Sequence, residues 1–323
     1  MSAGWVAGDV RSKMLAGRRL GPDACKRVAA CRSLADALAM LDETAYRVPP
    51  ERVPRTSADS QRALAEAQRA VTESLLWDLR VLAGWLPRGG TAMMRALAGW
   101  FEIANIAERL RELATGTPGQ YFELGALATA WPRMRGLTNL AEIRGVLSAS
   151  AWEDPGGDET AAIEVGLRAM WARRVAAFGE PARTWASAAV VLLLAGERFA
   201  AGRPDNPALR SVAKTLLGQA AAASTLDELA AGLPRRLSWV LASGRQRRPL
   251  ASGSAPAALW RNEAGWWRRV DQDGLKLLRA NGYGRKPVIG VTVILAADAR
   301  RVASALEIAA RGGGSIEAFD AVA

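Results

Sequence analysis

Three segments of the chain are written to one pattern, and that recurrence limits the fold more than any other feature of the sequence. They are SLADALAMLDETAY at residues 33–46, NLAEIRGVLSASAW at 139–152 and TLDELAAGLPRRLSW at 225–239. Each opens on a helix-capping residue, Ser33, Asn139 or Thr225, and carries an acid three positions on, Asp36, Glu142 or Glu228. This is capping-box spacing, in which the two side chains satisfy backbone N–H groups left orphaned at a helix N-terminus. Leu34, Leu140 and Leu226 follow the caps. Leu41, Leu147 and Leu233 come two turns later, and an aromatic ends each segment: Tyr46, Trp152, Trp239. The pattern predicts three short helices of one design and a threefold internal repeat.

A second series interleaves with the first. EIANIAERLRELATG at 102–116 and DARRVASALEIAARG at 298–312 align without gaps, Glu102 on Asp298, Ile106 on Val302, Leu110 on Leu306 and Gly116 on Gly312. An acid opens each, where a helix N-terminus favours negative charge. Apolar residues at i, i+4 and i+8 share one face, and a glycine closes each as a C-cap. Each unit is expected to hold a capped helix followed by a glycine-closed one, so that 33–46 belongs with 102–116 and 225–239 with 298–312. The middle unit offers SAAVVLLLAGERFAAG at 187–202, which matches in length, apolar content and final Gly202, and is read as a degenerate copy. The units are expected at 1–117, 118–208 and 209–323.

Half of the 323 residues are hydrophobic, and the abundance of Ala, Leu and Arg favours helix. The one strand-like stretch, VIGVTVILA at 288–296, does not alternate and follows Pro287, so it is read as a helix running into 298–312. The longest apolar run, at 185–196, falls short of the about 20 residues of a bilayer span. The first residues lack the apolar core of a signal peptide. A cytoplasmic location is expected. Cys25 and Cys31 match no metal or redox spacing and are expected as plain thiols.

The net charge of +11 suits nucleic acid, anionic lipid or an acidic protein as partner. The densest basic cluster, Arg235, Arg236, Arg245, Arg247 and Arg248, surrounds a Gly/Ser/Pro-rich stretch read as a partner-facing loop. Histidine is absent, which removes the commonest general base and metal ligand. No phosphate-binding loop, dinucleotide fingerprint or nucleophile elbow is present. No catalytic residue, cofactor or metal site is therefore expected, and the chain is not read as an enzyme. Trp77, Trp85, Trp100, Trp131, Trp171, Trp185 and Trp260 lie in helical patterns and are expected in cores or helix seams. Trp266 and Trp267 are adjacent and must face differently. One of them, beside Arg268 and Arg269, is a candidate interface anchor.

Four stretches together resemble a known family: VRSKML at 10–15, the segment from Ser33 to Arg47, WFEIANIAERLRELATGTP at 100–118, and the C-terminal GRKPVIGVTVILAADARRVASALEIAARGGGSIEAF. They are similar in order and spacing to the C/d family of central-stalk adaptors in V-type and A-type rotary ATPases (ATP synthases), whose eukaryotic counterpart is the d component of the membrane sector. The last copy has Arg301 where the first has Asn105, and the middle copy lacks the acid–asparagine pair. The resemblance implies an all-α fold of three similar helical units about a pseudo-threefold axis, forming a funnel. It implies a non-catalytic central-stalk adaptor, one copy per complex. Such an adaptor joins the rotor-shaft subunits to the proteolipid ring and transmits torque for ion transport. It would be peripheral, on the cytoplasmic face of the membrane, with no nucleic acid bound. Asn105 and Arg301, at matching places in their helices, mark the expected rim, and Ala107, Ala114, Ala303 and Ala310 the expected close helix approaches. The alternative reading is a basic, all-helical nucleic-acid-binding scaffold.

Overall fold

A computed structural model describes residues 3–52, 60–242, 255–280, 282–314 and 319, and among the described residues there are fourteen α-helices and no strand. In order they are α1 (Ala3–Ala16), α2 (Pro22–Ala29), α3 (Leu34–Leu41), α4 (Ser60–Gly84), α5 (Arg88–Leu97), α6 (Gly99–Thr115) and α7 (Trp131–Met134). There follow α8 (Leu140–Ser148), α9 (Thr160–Ala176), α10 (Ala182–Leu194), α11 (Pro207–Leu217), α12 (Leu226–Gly232), α13 (Ala255–Leu278) and α14 (Arg285–Ala310). The all-helical class expected from composition holds. No described helix is long and apolar enough to cross a membrane.

The capping residues stand where their spacing puts them. Ser33, Asn139 and Thr225 are the N-caps of α3, α8 and α12, and each side chain accepts from the backbone N–H of the acid three positions on, at 3.1, 2.9 and 3.1 Å. The return bond of the box is altered. Glu228 accepts from Ser224 N, one residue before the cap, and the shorter Asp36 accepts only from the Ser33 hydroxyl. The stretch at 288–296 is helical, as read, inside the 26-residue α14. Its Thr292 hydroxyl is buried without cost because it donates to Val288 O at 2.8 Å.

The helices fall into two compact units. One gathers both chain ends, Met1–Ala92 with Trp267–Ala323, and the other is Met93–Trp266. In the first, α14 is the core element and packs against α1, α2, α3 and α4. Its apolar residues surround it rather than forming a stripe, as expected of a buried helix. It meets α13 at glycines. A Cβ on Gly290 would lie 2.6 Å from Gly274 O and 2.7 Å from Leu278 N, so the two backbones are all but in contact. Of the alanines expected at close approaches, Ala114 and Ala310 are exposed, whereas Ala107 and Ala303 are half-buried and Ala303 O accepts from Gln68 of α4 at 3.2 Å.

In the second unit α9 is the hub, packed against α6, α10 and α11. Gly166 of α9 faces the Pro155 carbonyl so closely that a Cβ would sit 1.8 Å from its oxygen. Trp131, Trp152 and Trp185 fill this core, and Trp100 and Trp171 meet edge to face with ring centroids 5.8 Å apart. Three of the tryptophans expected in cores or helix seams are not there. Trp77 and Trp85 are 58% and 56% exposed, and Trp260 is also exposed. Helix α4 buries Leu75, Leu79 and Leu82, and Trp77, two positions from Leu75, falls on the opposite side.

Candidate functional site

Two buried carboxylates do in three dimensions what the capping boxes do locally. Glu102, in the first turn of α6, turns one oxygen onto three successive backbone N–H groups at the start of α7: Thr129 at 2.8 Å, Ala130 at 2.6 Å and Trp131 at 2.7 Å. Its other oxygen accepts the indole N–H of Trp152 at 2.9 Å. Asp298, inside α14, repeats the arrangement at the start of α2. It accepts Leu20 N at 2.7 Å, Gly21 N at 2.9 Å and the Tyr46 hydroxyl at 2.9 Å. In each case an acid on a long helix holds the backbone N–H groups where a short helix begins, together with the aromatic that ends the segment after that short helix. Such charge-assisted bonds in a dry interior are stronger than neutral ones and fix geometry.

The segments leading to the two aromatics also match. The Thr44 hydroxyl donates to Leu41 O at 2.8 Å and accepts Tyr46 N at 3.1 Å. The Ser150 hydroxyl donates to Leu147 O at 2.7 Å and accepts Trp152 N at 3.1 Å. These hydroxyl turns reverse the chain at the helix end and point the aromatic at its acid. The sequence pairs 33–46 with the helix at 102–116, whereas the contacts pair it with α14, and 139–152 with α6. Asp298 is also no helix opener, because α14 begins thirteen residues earlier at Arg285. Its purpose is tertiary capping rather than the helix dipole.

Burial and these carboxylates shape the neighbouring groups. Burial pushes the Cys25 thiol up to about 12, helped by the negative charge of Asp298 and opposed by Arg301. Burial, then Asp298, holds the Tyr46 phenol well above its ordinary value. Arg174 lies 4.6 Å over the Trp152 ring, and burial lowers its guanidinium against the charge of Glu102. Cys25 and Cys31 are free thiols. Among the described residues no group of His, Cys, Asp and Glu side chains could hold a metal ion.

The partner-binding candidates are dispersed. Asn105 is fully buried on α6, its amide closed on the backbone of Phe122, which donates at 2.7 Å and accepts at 2.9 Å. Arg301 is buried on α14 and donates to Asp271 at 2.7 Å, with Arg19 3.6 Å from the same carboxylate. Both side chains therefore serve the interior of their units rather than a rim. Arg235 and Arg236 are exposed on the 3-10 turn Arg235–Leu237. Arg245, Arg247 and Arg248 lie outside the described residues. Trp266 and Trp267 are each half-buried. The Trp266 indole donates to Trp185 O at 2.9 Å, and Arg300 stands 5.6 Å over the Trp267 ring. The acid pins were written in the sequence as the aligned Glu102 and Asp298, but their ligands are backbone N–H groups far along the chain. The sequence matches no protein-family model and no curated protein.

Proposed function

We propose that the chain is a non-catalytic adaptor of a V/A-type rotary ATPase, built from three variants of one helical unit and joining the rotor shaft to the proteolipid ring. The observation that carries the reading is the repeated pin: Glu102 and Asp298, each capping a short helix and holding the aromatic that a hydroxyl turn delivers. A unit used twice with corresponding bonds, three N–H groups and an indole in one copy and two N–H groups and a phenol in the other, supports a copied unit.

A third variant is supported at α10. This helix runs on through the π-turn Ala195–Ala200, which carries one residue more than an α-turn. Counting back from Gly202 as from Gly116 to Glu102, with that residue added, reaches Ser187. It is fully buried, and its hydroxyl has no partner among the described residues. The helix that follows no longer needs a distant acid. Asn206 accepts Leu209 N at 3.0 Å as a local cap, and Pro207 at the first position has no N–H to satisfy. Loss of the acid and gain of the local cap are thus one exchange.

In this reading the first unit is completed by the two ends of the chain, which favours three units closed about an axis in a funnel. A torque adaptor must resist shear between its helices, and buried pins with glycine-close backbones supply that stiffness. The exposed Arg235 and Arg236 give adaptable charge contacts suited to a ring of different symmetry. The adaptor is placed at the cytoplasmic face of the membrane, one copy per complex. Replacing Arg235 and Arg236 by Ala is expected to loosen the coupling of ATP hydrolysis to ion flow in membrane vesicles while the isolated chain stays folded. Unchanged coupling would remove this turn from the ring contact.

A further inference from the structure

Large apolar side chains exposed to solvent gather on two neighbouring helices. Val10 and Met14 of α1 are 52% and 60% exposed, and Val6 continues their i, i+4 line. Trp77 and Trp85 project from α4 and its end. The helices lie side by side within one unit. A Cβ on Gly4 would touch Pro87 at 3.0 Å and one on Gly8 would meet Leu86, while Arg18, just beyond the other end of α1, bonds Asp78. The helices therefore run antiparallel, with the apolar line of α1 along the stretch of α4 that carries both tryptophans.

The charge on this face is mainly basic. Over residues 3–20 and 72–92 the acids are Asp9, Glu73 and Asp78. Asp9 and Asp78 are buried, the first against Lys13 and the second against Arg18, and the half-buried Glu73, one turn before Trp77, is paired with Arg52 and Arg69. What faces solvent is basic: Lys13, Arg18 and Arg88, with Arg80 resting 5.8 Å over the Trp77 ring. Helices with apolar side chains at helical spacing, tryptophans beside arginines and acids that are buried or paired match an interfacial surface better than a groove for a keyed partner.

We propose that the face formed by α1 and the C-terminal half of α4 docks on an anionic lipid surface. Val10, Met14 and the two indoles enter the boundary between headgroups and acyl chains, and Lys13 and Arg88 meet the phosphates. The proposal is independent of the adaptor reading, because it asks only whether this chain binds lipid.

The test is co-sedimentation of the full chain with vesicles of equal parts phosphatidylglycerol and phosphatidylcholine, against vesicles of phosphatidylcholine alone. The expected result is binding to the anionic vesicles, weakened by salt, with a blue-shifted tryptophan emission. The W77S/W85S double variant, altered only at exposed positions, should keep its helical circular dichroism and lose on the order of tenfold or more in partitioning. W260S, exposed in the other unit, should bind as the parent does. The proposal is overturned if the parent chain ignores anionic vesicles, if W77S/W85S binds equally well, or if W260S weakens binding as much. It is also overturned if W77S/W85S instead abolishes a concentration-dependent dimer, which would make a second copy the occupant.

Discussion

Replacing Glu102 by Gln changes one atom and should cost the Met93–Trp266 unit about 3–5 kcal/mol. The carboxylate has donors on both sides, three backbone N–H groups on one oxygen and the Trp152 indole on the other. An amide can satisfy only one side. In its better orientation the carbonyl stays on the three N–H groups and the NH2 confronts the indole N–H. That leaves a fully buried donor unpaired, which costs about 1–3 kcal/mol. The other three bonds lose their charge assistance, roughly 1 kcal/mol each at most. The half-buried Arg174 loses a compensating charge as well. The assay is denaturant unfolding with the m value held as a check. Native-state hydrogen exchange at Thr129, Ala130 and Trp131, which should exchange faster, gives the local readout. A double-mutant cycle with W152F removes the confronted donor and should return about 1–2 kcal/mol as coupling. A loss under about 1 kcal/mol with no coupling would refute the pin as an energetic element.

Three further outcomes are expected. S33A, N139A and T225A should each cost about 1 kcal/mol in thermal or denaturant unfolding, since each removes one observed cap bond. Gly166→Ala should destabilise by about 2–4 kcal/mol, because its Cβ would fall on the Pro155 carbonyl. Gly145→Ala, on α8 with nothing near its Cβ, should instead gain up to about 1 kcal/mol. Stability should fall as pH rises from 9.0 to about 12. The folded state holds the Cys25 proton above the pH at which the unfolded chain releases it, a contribution fully present below pH 9.0 and lost through the folded value. The Cys25 span is worth about 4 kcal/mol. The Tyr46 phenol, also held above its ordinary 10.0, steepens the same limb beyond that pH, so C25A should delay and lessen the loss in pH-dependent unfolding and leave the Tyr46 part in place.

What the sequence reveals divides by distance along the chain. A cap bond joins residues three apart, so Ser33, Asn139 and Thr225 could be read directly, as could the glycine that ends α6 with φ 70° at Gly116. The Glu102 and Asp298 pins join an acid to N–H groups 27 to 29 and 277 to 278 positions away. Alignment shows that the acids recur but is silent on what they hold. Pairing by sequence order failed for the same reason, since α14 is completed by the start of the chain. The exposure of Trp77 and Trp85 is hidden in the sequence because long alanine-rich helices blur the apolar stripe. In α4 small Ala63, Ala67 and Ala70 do the packing that larger residues would have marked. Asn105 and Arg301 look alike as polar residues in matching helices, yet one closes on a loop backbone and the other on Asp271.

The most direct measurement is a capture of the tagged chain from its own membranes in mild detergent, with mass spectrometry of the bound proteins. The account predicts recovery of rotor-shaft subunits together with a proteolipid. Recovery of nucleic acid or its enzymes, with no component of a rotary ATPase, would contradict it and leave the repeated helical unit in the service of a different function.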